Sequence, residues 1–214
     1  MHIEPGVLAA AKIAAANAAA LATLGASAAG FRRRPADLAK AGLAALFFSI
    51  FMQLWHMQVG PSELHLIGAS AIYFTFGFLP TLFGFALGLA LQGLIFEPQD
   101  LIHLGVNSLS LMVPLIAVHG AFGHRFFAGL ETRWSSVLKF DAAYYAGVVA
   151  MVGFWLALGQ EPTPLESWAR FAASYLPLVL LEPLFTLLVL KGLKRFGGTA
   201  LVRGFTAAPQ LRLA

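Results

Sequence analysis

Long apolar runs that recur along the chain are the feature that most restricts what it can fold into. Leu43 to Trp55, Leu109 to Val118 and Tyr175 to Leu190 carry almost no charge, and their extent approaches the ~20 residues needed to span a bilayer's hydrocarbon. Only 11% of the residues are charged and 59% are hydrophobic, against roughly a quarter charged in an ordinary soluble domain. A segment surrounded by lipid must satisfy its own backbone hydrogen bonds, and the alternating pattern of barrel strands is absent. The expected fold is therefore an all-α integral membrane protein, a single transmembrane domain over residues 1–214.

Spans are predicted at about Pro5–Ala29, Leu38–Met57, Leu64–Phe78, Pro80–Phe96, Leu104–Phe122, Phe140–Leu158 and Trp168–Leu190. Leu64 to Phe96 is too long for one crossing and short for two, with Gly77 and Pro80 interrupting its middle. The positive-inside rule decides between the two counts. With Arg32, Arg33 and Arg34 cytoplasmic, two crossings bring Arg125, Arg133 and Lys139 to the same side, whereas one crossing puts them outside. Two crossings give about seven transmembrane helices, with the N-terminus outside and the C-terminus cytoplasmic. Lys191, Lys194, Arg195, Arg203 and Arg212 then also fall inside.

The net charge of +4 does not indicate nucleic acid, because the basic residues sit between apolar runs and not on one soluble face. The chain has no cysteine, which excludes disulfides, iron–sulfur clusters and thiolate zinc sites. Any metal would be held by nitrogen or oxygen. The first span is dominated by alanine, a composition suited to close packing against neighbouring helices. Its plainer alternative, a cleaved signal peptide, conflicts with the lack of a positive start and with the arginines that follow at once; the expectation is that Met1 is retained.

Met1-His2 is a preformed chelator if its α-amine is free. The amine, the deprotonated His2 amide and the His2 imidazole close two fused rings around one ion and fill three corners of a square. Square-planar nitrogen sites suit Ni(II) and Cu(II), and low-spin Co(II) accepts the same arrangement. Topology sorts the candidates for the fourth nitrogen by depth. His56, His65 and His103 lie toward the outer side with Met1 and His2, while His119 and His124 lie too deep; the choice among the first three stays open on these grounds. For each, packing within the bundle is the plainer role.

The stretches Met1-His2-Ile3-x-x-Gly6-x-Leu8 and Gly60-Pro61-Ser62-Glu63-Leu64-His65-Leu66-Ile67-Gly68 resemble the CbiM/NikM family. Gln92-Gly93-Leu94-Ile95-Phe96, Gly105-Val106-Asn107 and Leu176-Pro177-Leu178-Val179-Leu180-Leu181-Glu182 continue the likeness over nearly the whole chain. These proteins are the substrate-binding S components of energy-coupling factor (ECF) transporters for Co²⁺ and Ni²⁺. The resemblance implies metal ligation by the Met1 amine, the His2 amide and imidazole, and His65. It also implies a transmembrane coupling (T) protein, cytoplasmic ATPase subunits and a small accessory membrane subunit, in the cytoplasmic (inner) membrane of a prokaryote. Two departures stand out: Pro61-Ser62-Glu63 replaces the family's usual Gly-Thr-Ser run, and Ser110 stands where a second asparagine is expected.

Other polar residues in the apolar runs carry weaker expectations. Gln92, Asn107 and His103 are candidates for orienting a ligating imidazole, with helix–helix hydrogen bonding the plainer role. Glu182, an ionisable group deep in the last span, is expected to serve the backbone freed by Pro183 or a polar partner on another helix, or to couple helix movements. Lys12 is expected to snorkel outward, and Ala41 with Ala45 to offer a close-packing face to the coupling protein. The chain has no GxxxxGK[ST] phosphate loop, so either the ion moves passively or another subunit drives it; the resemblance implies the second, and a transporter subunit in place of an enzyme. A passive nickel or cobalt channel is the alternative. Below it rank a haem-binding subunit, which needs two histidines at matching depth, and an intramembrane protease, for which Asp141 has no aspartate partner at depth.

Overall fold

The computed structural model describes residue 3 and residues 6–59, 62–161 and 163–213. The elements in chain order are α1 (Ala10–Arg33), α2 (Asp37–Leu54), β1 (His56–Val59), β2 (Ser62–His65), α3 (Ala69–Phe76), α4 (Phe78–Ile95), α5 (Leu104–Val118), α6 (His124–Phe127), β3 (Glu131–Thr132), α7 (Trp134–Ala157), α8 (Leu165–Ser174), α9 (Leu176–Arg195), α10 (Ala200–Phe205) and β4 (Arg212–Leu213). Six of the helical segments, some built from consecutive helices, are long and apolar enough to cross a membrane. The seventh expected span is a different object. Its first residues form β2, and its helix, α3, has only eight residues, about 12 Å at 1.5 Å per residue.

The chain nevertheless traverses the bundle at α3. The loop around Gly77 meets Arg34, Asp37, His119 and Gln210 about a common cavity, whereas β2 begins at the opposite end, where α2 finishes. The Ala207 amide donates to the Thr75 carbonyl at 2.6 Å, which fixes the lower end of α3 beside the C-terminal segment. Alternation is thus preserved, with α3 as the short third pass. An eight-residue helix survives here because every one of its side chains is buried by surrounding helices.

Small residues set the closest helix contacts. A Cβ on Gly84 would stand 2.5 Å from the Ala44 Cβ, and one on Gly88 2.4 Å from a Phe48 ring carbon, so α4 fits α2 only as glycine. Ala41 and Ala45 are both buried, and the backbone of Ala45 lies within contact of Gly84 and Gly88. The face expected to receive a coupling protein is occupied by α4, because the same small side chains that invite a partner are used within the chain. In α1 only Ala16, Ala20 and Phe31 are buried. Its alanines mostly face outward, and its tight approaches are at Gly30, where a Cβ would stand 2.7 Å from a Leu79 methyl, and at Gly105, whose N–H donates to Asn17 Oδ1 at 2.7 Å.

Candidate metal site

At the end of the bundle where α2 finishes, β1 and β2 form an antiparallel hairpin with His56 opposite His65 and Gln58 opposite Glu63. Side chains at alternate strand positions share a face, so Glu63 and His65 point the same way and His56 joins them from across the pair. The two imidazoles stack with centroids 5.6 Å apart. Glu63 lies between them, with Oε1 2.7 Å from His56 Nδ1 and Oε2 3.0 Å from His65 Nε2. The hydrogen bond to His65 holds the Glu63 carboxyl well below the usual carboxylate range, at about 2. His65 is 4% exposed, and its Nδ1 lies 3.4 Å from the Met52 carbonyl, so the ring is held on both sides.

The N-terminal segment comes to this hairpin. Ile3 forms an antiparallel bridge with Ser62 on β2, and its N–H donates to Asn107 Oδ1 on α5 at 3.1 Å. Ile3 is 1% exposed, so this anchor is inside the protein. Met1 and His2 lie outside the described residues. Among the described residues no three histidine, aspartate or glutamate side chains are grouped to hold a metal ion.

The remaining sequence candidates have separate places. Gln92 works between α2 and α4: its Nε2 donates to the Ser49 carbonyl at 2.6 Å and its Oε1 accepts from Gln53 at 2.7 Å. Asn107 holds the Ile3 amide. His103 is 2% exposed at the foot of α5, and neither ring nitrogen has a hydrogen-bond partner. Glu182 meets Ser70 on α3 and Tyr145 on α7. Lys12 reaches the Leu158 carbonyl that ends α7, at 2.6 Å. Glu63 and its contact with both histidines were missed in the sequence, although Glu63 sits where the family's usual pattern is broken.

Charge divides the two ends. Glu63, Glu97, Asp100, Glu161 and Glu166 belong to the hairpin end, and of the fourteen basic residues only Lys12 and Arg170 do. The other end carries the arginine triplet after α1, Arg125, Arg133 and the basic C-terminal segment. A polytopic helical bundle with a histidine-bearing hairpin in an acidic mouth defines a membrane protein whose two ends differ in charge.

The sequence matches the family described as CbiM, cobalt uptake substrate-specific transmembrane region, over residues 2–199. The chain belongs to that family: it is a multi-pass membrane protein of metal transport. The fold is shared with the crystal structure of a transition metal transporter, at 20% identity and TM-score 0.72, covering 96% of this chain and 97% of that one. A truncated transition metal transporter aligns at TM-score 0.70 and 20% identity, over 92% of this chain and 99% of that one. No curated protein sequence matches the chain.

Proposed function

We propose that the chain captures Co²⁺ or Ni²⁺ outside the cytoplasmic membrane of a prokaryote and delivers it inward as the S component of an ECF-type ABC transporter. The ion sits in a square-planar nitrogen site made by the Met1 amine, the His2 amide and imidazole, and His65. One observation carries this reading: Ile3 is bridged to Ser62, three residues before His65 on the same strand. In that antiparallel bridge the N-terminal side of Ile3 is turned toward the His65 end of β2. Two residues reach at most about 7 Å, which suits ligands that must meet an imidazole nearby.

The His65 environment supports the assignment. In the ion-free protein Nε2 donates to the Glu63 carboxylate; an arriving ion displaces that proton and, with Nδ1–H kept toward the Met52 carbonyl, takes its place on the Nε2 lone pair beside Glu63. Glu63 then remains as a negative neighbour of a divalent charge, in a mouth whose acidic residues raise the local cation concentration. The basic opposite end faces the cytoplasm on the positive-inside rule.

The interior supports driven uptake. Below the hairpin, Tyr73, Phe74, Phe85, Phe140 and Tyr144 are wholly buried, and their rings pack at centroid distances such as 4.6 Å for Tyr73 and Phe140. A hydrated divalent ion has no route through such packing until helices move, and the chain has no nucleotide loop to move them. A T protein, cytoplasmic ATPase subunits and a small accessory membrane subunit supply that work. The test is calorimetry on the full chain in lipid nanodiscs. One Ni²⁺ or Co²⁺ should bind per chain, and an extra residue before Met1, or His65→Ala, should abolish binding. Undiminished affinity in both variants overturns the site.

A further inference from the structure

The bundle interior holds a group of polar side chains that metal capture does not use. Ser70, in the first turn of α3, is wholly buried together with Asp141 on α7 and Thr186 on α9, and Glu182 on α9 is 3% exposed. Ser70 Oγ lies 3.0 Å from Asp141 Oδ2, 3.2 Å from Glu182 Oε1 and 2.7 Å from Thr186 Oγ1. The Ser70 N–H donates to Glu182 Oε1 at 2.8 Å, and the Tyr145 hydroxyl donates to Glu182 Oε2. Asp141 Oδ1 is buried with no hydrogen-bond partner among the described residues, as are the hydroxyls of Tyr144 and Tyr175. Among the described residues no lysine, arginine or histidine is paired with either carboxyl.

Counting protons resolves how these contacts coexist. Ser70 Oγ has one proton and touches three oxygens, two of them carboxyl oxygens. If both acids were ionised, one carboxylate would face a hydroxyl oxygen with no proton between them. Both charges would also stand uncompensated in a membrane interior, where like charges sharing a site do not both ionise. Glu182 already accepts from the Ser70 amide and from Tyr145, so it is suited to carry charge. Asp141 has only Ser70. With a proton on Asp141 Oδ2, every contact is satisfied: Asp141 and Thr186 donate to Ser70 Oγ, and Ser70 donates to Glu182 Oε1.

We propose that Asp141 and Glu182 form a proton-binding site inside the bundle, holding one proton between them through Ser70. The titratable groups that face it are Tyr144 and Tyr145 on α7 and Tyr175 at the start of α9, all neutral donors at physiological pH. Ser70 follows His65 by five residues along a continuous segment, so the protonated pair fastens the helix behind the hairpin to α7 and α9. The proton site itself does not depend on the metal reading.

Infrared spectroscopy of the full chain in nanodiscs tests it. At neutral pH the parent protein should show the carbonyl stretch of a protonated carboxylic acid, shifted in D₂O, and the difference spectrum against Asp141→Asn should contain that band. Asparagine keeps a donor toward Ser70, so the variant retains the contact without the titrating proton. His65→Ala, which removes capture, should leave the band in place. The site is overturned if the parent lacks the band or if Asp141→Asn retains it unchanged.

Discussion

Replacing Asn107 with alanine tests whether the N-terminal strand is held as described, and the size of the effect follows from two contacts. Ile3 is tied to the bundle by its bridge to Ser62 and by its N–H to Asn107 Oδ1 at 3.1 Å. Asn107→Ala removes the acceptor while Ile3 stays 1% exposed, which leaves a buried amide unpaired at a cost of about 1–3 kcal/mol. At about 1.4 kcal/mol per decade, metal affinity should weaken by about fivefold to about 150-fold. The loss should appear in binding more than in melting, because the packing of α5 against α1, α4 and α7 does not depend on this amide. Asn107→Asp keeps an acceptor in place and should lose less than the alanine variant. Calorimetry with Ni²⁺ and Co²⁺, beside thermal unfolding of each variant, gives both numbers. An Asn107→Ala protein that binds within about twofold of the parent refutes the anchoring role.

Two further outcomes are expected. Gly68, at φ 66, would place a Cβ 2.3 Å from a Phe51 ring carbon, so Gly68→Ala combines about 1–2 kcal/mol of left-handed strain with about 1–3 kcal/mol of overpacking. Its melting temperature in detergent should drop clearly, while Gly42→Ala, which meets nothing within 4 Å, should hold or rise; equal melting of the two would sink the argument. Glu97 is pushed up to about 6 by burial and by its hydrogen bond to Asp100. A raised carboxyl favours the fold while protonated, so its contribution is full below the ordinary 4.5 and is lost as pH rises through about 6. The parent's melting temperature should therefore fall between these values by more than that of Glu97→Gln; parallel profiles would refute the shift.

The membrane class, the alternation of passes and the separation of charge are legible in the sequence because each is a property of long segments averaged over many residues. The third pass was legible only as a count. Leu64 to Phe78 has the apolar content of a span, but Leu64 and His65 are committed to a hairpin whose pairing partner, His56, lies in what sequence reads as the end of the second span. Hydropathy does not distinguish a buried strand from a helix end over four residues. The Ala41 and Ala45 stripe was visible as a packing face, yet whether a stripe meets its own chain or a partner depends on Gly84 and Gly88, forty residues away. Asp141 was seen without an aspartate partner at depth; its actual neighbour across Ser70 is Glu182, a pairing that only the packing of α3 between α7 and α9 creates.

Capture and release make opposed demands on a transporter, and the proposed site meets them by dividing its donors between two segments. Three of the four proposed nitrogens belong to the segment ahead of Ile3, and the fourth to β2. Among the described residues, Ile3 is joined to its surroundings by one strand bridge, one side-chain hydrogen bond and the burial of its side chain in the apolar core, an attachment of several kcal/mol. Drawing that segment away from β2 removes His65 from the other three nitrogens in one movement, without unfolding a helix. Rotation of α3 against α7 and α9 would do the same from the other side, since β2 leads directly into α3. The work needed for release from the proposed site is then the cost of separating two segments plus the ion's loss of His65, and supplying it is the task assigned to the proposed nucleotide-driven partner.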